Sequence, residues 1–177
     1  MLFALQMSEL DVEQLDGYEC VLKLGTSTCG NATTIVARNR YNKELLSIKL
    51  IKRGWDKPAS KRLLRTSFTH MELSISFHPH IVEFREAFLL PKHLAIVLEY
   101  VEGETLELFL ERVGGRVIEN MARFIFQQLI IAVDFCHRKG KLLRDIKPST
   151  VLLNISEGTL PLLKVQQRSS HPRIADN

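Results

Sequence analysis

The stretch from Asn120 to Arg138, with ARFIFQQLIIAVDFCHR at its centre, contains no glycine or proline and is apolar around most of a helical circumference. A helix of that kind is normally buried on several sides. The chain must therefore wrap it with other elements or leave it open to a partner. Close behind it stands Leu143-Arg144-Asp145-Ile146-Lys147-Pro148, a short charged segment between this helix and the apolar run that begins at Val151.

The first hundred residues carry a different pattern. YECVLKLG, TTIVARNR and LLSIKLI, between residues 18 and 54, are apolar or β-branched runs separated by polar breaks, and Tyr41-Asn42-Lys43-Glu44 reads as a turn. Pro58 and Ser60 open a helical pattern in which Leu64, Phe68, Met71 and Ile75 share a face, and His78-Pro79 closes it. IVEFREAFLL and HLAIVLEYV follow as two more strands around the Pro91-Lys92 turn. Gly103 marks a break, after which LELFLERV reads as a short helix ending at Gly114-Gly115. Five strands and one helix thus precede a helical second part.

At 177 residues the chain holds one ordinary domain or two small lobes. Its 45% hydrophobic and 25% charged content fits a globular protein, and no run reaches the roughly 18 apolar residues needed to span a bilayer. The opening MLFALQM lacks a basic n-region and runs into SELDVEQLD, so no secretory leader is expected. Cys20, Cys29 and Cys136 have no metal-ligand spacing and cannot all pair, which fits a reducing compartment, cytoplasmic and/or nuclear. The net charge of +4 is scattered over short groups such as KRGWDKPASKRLLR and CHRKGK. A nucleic-acid partner calls for a continuous basic face with stacking aromatics, and neither it nor a membrane is expected as partner.

Three segments carry candidate chemistry. Gly25-Thr-Ser-Thr-Cys-Gly30 lies between the first two strands where a phosphate loop would read G-x-G-x-x-G, with Ser27 in place of the middle glycine. Glycines let backbone amides close on phosphates without a Cβ in the way, so this cradle is weakened, and alone it reads as a plain hairpin loop. Leu46-Ser-Ile-Lys49 places a lysine at the end of an apolar strand, where an ordinary edge lysine would also sit. The third is Leu143 to Pro148 itself, followed by Ser-Thr-Val-Leu-Leu.

In this order and spacing the three segments resemble the phosphate loop, the V-A-I-K lysine and the H-R-D catalytic loop of eukaryotic protein kinases. FHPHIVEFREAFLLPKHLAIVLEYVEG and ARFIFQQLIIAVDFCHRKGK extend the likeness to plant and green-algal serine/threonine kinases related to the sucrose-non-fermenting and calcium/calmodulin-dependent groups, over residues 17 to 165. The resemblance implies an α+β fold: a five-stranded antiparallel N-lobe sheet with one helix, and the first helices of an incomplete C-lobe. It divides the chain into an extension (1–16), an N-lobe and hinge (17–101), a partial C-lobe (102–165) and a divergent tail (166–177). It implies ATP as cofactor, with Gly25 and Gly30 at the phosphates and Lys49 holding them. Leu98 would be the gatekeeper, Glu99, Tyr100 and Val101 the hinge, and Leu24, Ile48 and Leu153 would pack on the adenine. Asp145 would accept the substrate hydroxyl proton and Lys147 steady the transferred phosphate.

The departures from that family pattern are as specific as the matches. The helix after Lys49 should supply a glutamate to orient the lysine, but either register puts a threonine there, Thr66 or Thr69; Glu72 could serve only after a slide of about one turn, ~5 Å. Leu143 replaces a histidine, and Thr150 replaces a magnesium-binding asparagine. PLLKVQQRSS aligns Gln167-Arg168-Ser169 with the metal-binding D-F-G. Magnesium favours anionic oxygens, so its binding is expected to be weak or absent. The tail QQRSSHPRIADN does not resemble an activation segment, and the chain is expected to be truncated after the catalytic loop. The expected function is a kinase-family domain that binds ATP with impaired phosphotransfer. An active kinase with a rearranged site, a non-catalytic module docking on another protein or a like chain through the exposed 120–138 helix, and a fragment without function are the alternatives.

Overall fold

The computed structural model describes residues 15–26, 31–53, 68–74, 76–143, 146–155 and 160–166. The chain divides into two compact units, Met1–Trp55 with Arg85–Tyr100, and Asp56–Phe84 with Val101–Asn177. No helix among the described residues is long and apolar enough to cross a membrane.

The first unit is one sheet of β1 (Tyr18–Thr26), β2 (Ala32–Asn39), β3 (Leu45–Lys52), β4 (Phe84–Leu89) and β5 (His93–Glu99), in the order β1-β2-β3-β5-β4. β2 is joined to β1 and β3, and β3 to β5, by antiparallel ladders. The predicted turn after β2 is present. The Asn39 side-chain oxygen accepts from the Tyr41 amide at 2.9 Å, the Asn42 oxygen accepts from Glu44 at 3.0 Å, and Lys43 takes the left-handed φ of 62°. Asn side chains favour such turns because they substitute for a backbone acceptor two residues on.

Alternate residues of the strands face a common core: Ile35 and Ala37 of β2, Leu46, Ile48 and Leu50 of β3, and Ala95 and Val97 of β5. Although β1 and β4 are the two edges of the sheet, their side chains meet. The Tyr18 ring stacks on Phe88 at 6.1 Å with an interplanar angle of 7°, and its hydroxyl donates to Glu86. Arg85 and Glu44 form an ion pair at 2.8 Å. The right-handed twist of strands allows such curling, and it closes the sheet over its own core.

Among the described residues, the second unit has three α-helices and a small sheet. Residues 68–74 are helical (α1), followed in the chain by α2 (Leu106–Arg112) and α3 (Glu119–Arg138). Thr105 caps α2, its hydroxyl accepting from Leu108 at 3.2 Å, and α2 stops at Gly114 and Gly115, both with positive φ, as predicted. The small sheet, β6 (Gly103–Thr105), β7 (Val151–Asn154) and β8 (Leu162–Val165), is a feature the sequence did not disclose. Gly103 is the start of β6 and more than a break: at its φ of 155° a Cβ would collide with the Leu153 carbonyl.

Of two expectations about helix faces, one is corrected. Of the predicted α1 face, Leu64 and Ile75 lie outside the described residues, Phe68 is 58% exposed, and His70 and Leu73 are buried in its place. His70 goes inward because its Nε2–H donates to the Val82 carbonyl at 2.6 Å, and Leu73 fills the core of the second unit. α3 is buried on one side, and the exposed apolar residues expected of the 120–138 helix are present. Ile125, Gln128, Ala132 and Cys136 face the core, while Phe126, Ile130 and Ile131 are 59%, 48% and 51% exposed.

The Tyr18 contacts give a direct test of the curled sheet. Tyr18→Phe, which keeps the stacking and loses the bond to Glu86, should lower the unfolding free energy by about 1 kcal/mol in a urea titration. Tyr18→Ala should cost about 3–5 kcal/mol, because it also opens a cavity.

Candidate nucleotide and catalytic-loop site

Within the first unit, β3 presents Lys49 in register with Thr34 of β2 and Ile96 of β5. Side chains alternate across a strand. Ile48 therefore turns away from Lys49 into the core of the sheet, where it is fully buried with Ile35, Leu50 and Val97. The face of Lys49 also carries Ser47 and Ile51 of β3, Thr34 of β2, and Ile96 and Leu98 of β5, of which Ile51, Ile96 and Leu98 are buried. The sequence reading passed over Ser47, although the two-residue period of the strand would have pointed to it. A group seated beside Lys49 would meet Ser47, with Ile48 on the far side of the sheet.

β1 carries two irregularities in its pairing with β2, and Leu24 sits at the second, between Lys23 and Gly25. Bulges re-aim side chains and are common beside binding sites. Leu24 is 52% exposed, and a Cβ on Gly25, which pairs with Thr34, would meet no atom within 4 Å. The space over Gly25 is open, as a strand that admits a ligand requires. Ser27 and Gly30 lie outside the described residues. Glu99 ends β5 half-buried, and Val101 beyond it is buried.

In the second unit, Arg144 and Asp145 lie outside the described residues, as do Thr66 and Gln167. The residues flanking them are placed. Leu143 packs against the core cluster of α3 and β8. Lys147 is exposed at the start of a single 3-10 turn, Pro148–Thr150. Thr150 is 2% exposed, and its hydroxyl accepts from the Lys147 amide at 3.1 Å and donates to the Lys147 carbonyl at 3.0 Å. Leu153 of β7 is fully buried and pairs with Glu104 and Leu163. Thr69 on α1 is half-buried, and Glu72 forms an ion pair with Lys141, at the end of the α3 connection.

β8 leads directly to residues 166 and 167, and its outer edge is held by side chains and by one passing segment. Gln128 of α3, 6% exposed, donates from Nε2 to the Pro161 carbonyl at 3.0 Å and accepts at Oε1 from the Leu163 amide at 2.9 Å. His80 donates from Nδ1 to the Leu163 carbonyl at 2.9 Å, which fixes the proton on that nitrogen. The Val165 amide donates to the His80 carbonyl at 2.9 Å, and the Val165 carbonyl accepts from Val82 at 3.1 Å. His78, stacked on Phe135 at 4.3 Å, accepts from the His80 amide and packs edge-on to the His80 ring.

A curled five-stranded sheet with a lysine on its third strand, and a long helix followed by a lysine-bearing turn and a short hairpin, are the elements of a kinase-like fold. The protein kinase domain family matches residues 18–166. Serine/threonine-protein kinase SRK2H of Arabidopsis thaliana is 41% identical over 153 residues, covering 85% of this chain and 39% of that protein. SAPK9 of Oryza sativa subsp. japonica is 41% identical over 152 residues, and SRK2A of Physcomitrium patens 40% over 152, each again covering 85% of this chain. They cover 39% and 40% of those proteins, so the chain spans about two fifths of the curated relatives it matches. The chain belongs to the protein kinase domain family and is related to plant serine/threonine kinases. That family uses ATP and magnesium.

Two measurements check the β8 edge. Gln128→Leu keeps the bulk and leaves the Leu163 amide and Pro161 carbonyl without their partner, which should cost about 1–3 kcal/mol in unfolding free energy. Burial, and secondarily the neighbouring His80, hold the His78 imidazole below its ordinary pKa of 6.5. The unfolded chain then binds a proton at higher pH than the folded one, so this contribution to stability is complete above about 6.5 and falls as the pH drops through the window below it. The midpoint of thermal unfolding should decline between pH 7.5 and 5.5, and His78→Phe should flatten that decline.

Proposed function

We propose that this chain is a serine/threonine-type kinase domain that binds ATP and is impaired in phosphotransfer. Residues 17–101 form the N-lobe and hinge, 102–165 the part of the C-lobe that reaches the catalytic loop, and 1–16 and 166–177 the flanking segments. Lys49 holds the α- and β-phosphates, with Gly25 and Gly30 over them. Leu98 stands behind the adenine, the backbone of Glu99 and Val101 meets its edge, and Leu24 and Leu153 close on the ring. Asp145 is the base for a substrate hydroxyl and Lys147 steadies the phosphate.

The observation that carries the impaired reading is Thr150. A magnesium ligand at that position must offer a lone pair outward, and this hydroxyl is nearly fully buried with its hydrogen and one lone pair committed to the Lys147 backbone. The side chain does not fit the metal, and a neutral Gln167 at the other ligand position would add little attraction for it. Glu72 bears on the rearranged-site alternative: its carboxylate is engaged by Lys141 within its own unit, which opposes its recruitment by Lys49. The protein acts inside the cell, in cytoplasm or nucleus, and protein partners enter through the outward face of α3.

A thermal-shift titration tests the reading. With ATP at about 100 times its Kd the unfolding midpoint should rise by roughly 5–10 °C, and the rise should disappear in Lys49→Ala. Phosphotransfer to protein should be absent. Activity that Asp145→Asn abolishes would establish the rearranged active site, and no shift with ATP would remove nucleotide binding from the account.

A further inference from the structure

Residues directly opposite in an antiparallel ladder share a face of the sheet, with Cβ atoms about 4.5–5.5 Å apart. The pairings of β1, β2 and β3 therefore line up Gly25, Thr34 and Lys49 in one row across the first unit, and β5 extends that row to the buried Ile96. A second row on the same face, two residues along β2, β3 and β5, runs Val36, Ser47 and Leu98, with Val36 and Leu98 buried. The first row carries a hydroxyl and an ammonium side by side. The second is apolar apart from Ser47.

The two threonines of β2 differ in how their hydroxyls are used. Thr33 turns to the opposite face, is buried, and shares a hydrogen bond with the Thr26 hydroxyl at 3.5 Å. Thr34 is half-buried, and its hydroxyl has no hydrogen-bond partner among the described residues. A Cβ on Gly25, its neighbour in the row, would meet nothing within 4 Å, so the row is open on that side. We propose that the Thr34 hydroxyl donates to a phosphate oxygen of the nucleotide held by Lys49, which makes Thr34 a further phosphate-binding residue. A lysine brings charge on a flexible stem, whereas a β-branched threonine is stiff at χ1 and holds its donor in a fixed place. Lys49 attracts the phosphate and Thr34 fixes where it sits. The phosphate loop lacks its middle glycine, at Ser27, and a side-chain donor on the adjoining strand makes up for that weakened cradle. With the phosphate over the first row, the base falls over Val36, Ser47 and Leu98 in the second. The inference rests on the nucleotide-binding reading above and adds to it a residue that neither the glycine pattern nor the lysine motif picks out.

Calorimetric titration of the whole 177-residue chain with ATP and with adenosine tests the assignment. Thr34→Val keeps the branched shape and removes the hydroxyl. Hydrogen bonds to charged groups are the stronger ones, so this variant should bind ATP at least about tenfold more weakly than the parent. Its affinity for adenosine, which has no phosphate, should stay within about twofold. Thr34→Ser retains the hydroxyl and should bind ATP within about threefold of the parent. Undiminished ATP binding in Thr34→Val, an equal loss for adenosine, or a Thr34→Ser variant as weak as Thr34→Val would overturn the role of Thr34 and leave nucleotide binding standing. A parent chain that binds no ATP would overturn both.

Discussion

The backbone edge of β8 is the constraint on which the second unit depends. An edge strand normally leaves alternate amides and carbonyls to water. Here Pro161, Leu163 and Val165 turn theirs outward from β7, and each polar group of Leu163 and Val165 finds a partner in Gln128, His80 or Val82. A buried amide or imidazole is costly to leave unpaired, so these side chains and the strand define one another's position. The arrangement ties α3, the segment after α1 and the strand that leads toward residue 167 into one body. It sets where the backbone must emerge, whatever side chain occupies the position beyond.

The first unit answers to a different constraint, the two-residue alternation of a curled sheet. One face of β3 supplies Leu46, Ile48 and Leu50 to the core, and the other carries Ser47 and Lys49. The curl that brings Tyr18 to Glu86 and Phe88 makes the first face an interior, with Lys49 on the opposite face. Chemistry and packing are thus separated by the pleat of a single strand. The family membership and the lysine's register agree with nucleotide binding, and the engaged hydroxyl of Thr150 supports the impaired phosphotransfer proposed above.

Much of the fold was legible because its elements are long enough to carry a period. The five strands, the Asn39–Glu44 turn, the capped α2 and the extent of α3 all follow from runs of alternating or helically spaced apolar residues. The second sheet was not legible, since strands such as Gly103–Thr105 are shorter than any pattern that could reveal them. The face of α1 was misread because a buried histidine, satisfied by the Val82 carbonyl, carries no apolar signal. Which residues of α3 face outward was not legible, because composition cannot tell a core-facing isoleucine from one such as Ile130 that faces outward. In the site, the strand that carries Lys49 was readable, and Ile48, expected to pack on a bound ring, is turned into the core of the sheet by the two-residue period of that strand. Gly30, Asp145 and Gln167 lie outside the described residues, and their roles rest on the family pattern.

The central claim is that this domain holds ATP through its lysine and sheet without help from a metal. The most direct test is calorimetric titration of the chain with ATP, first in excess chelator and then in excess Mg²⁺. The account predicts the same affinity in both within a factor of about two, or less than 0.5 kcal/mol. A tightening of tenfold or more with Mg²⁺ would show a working metal site and contradict it.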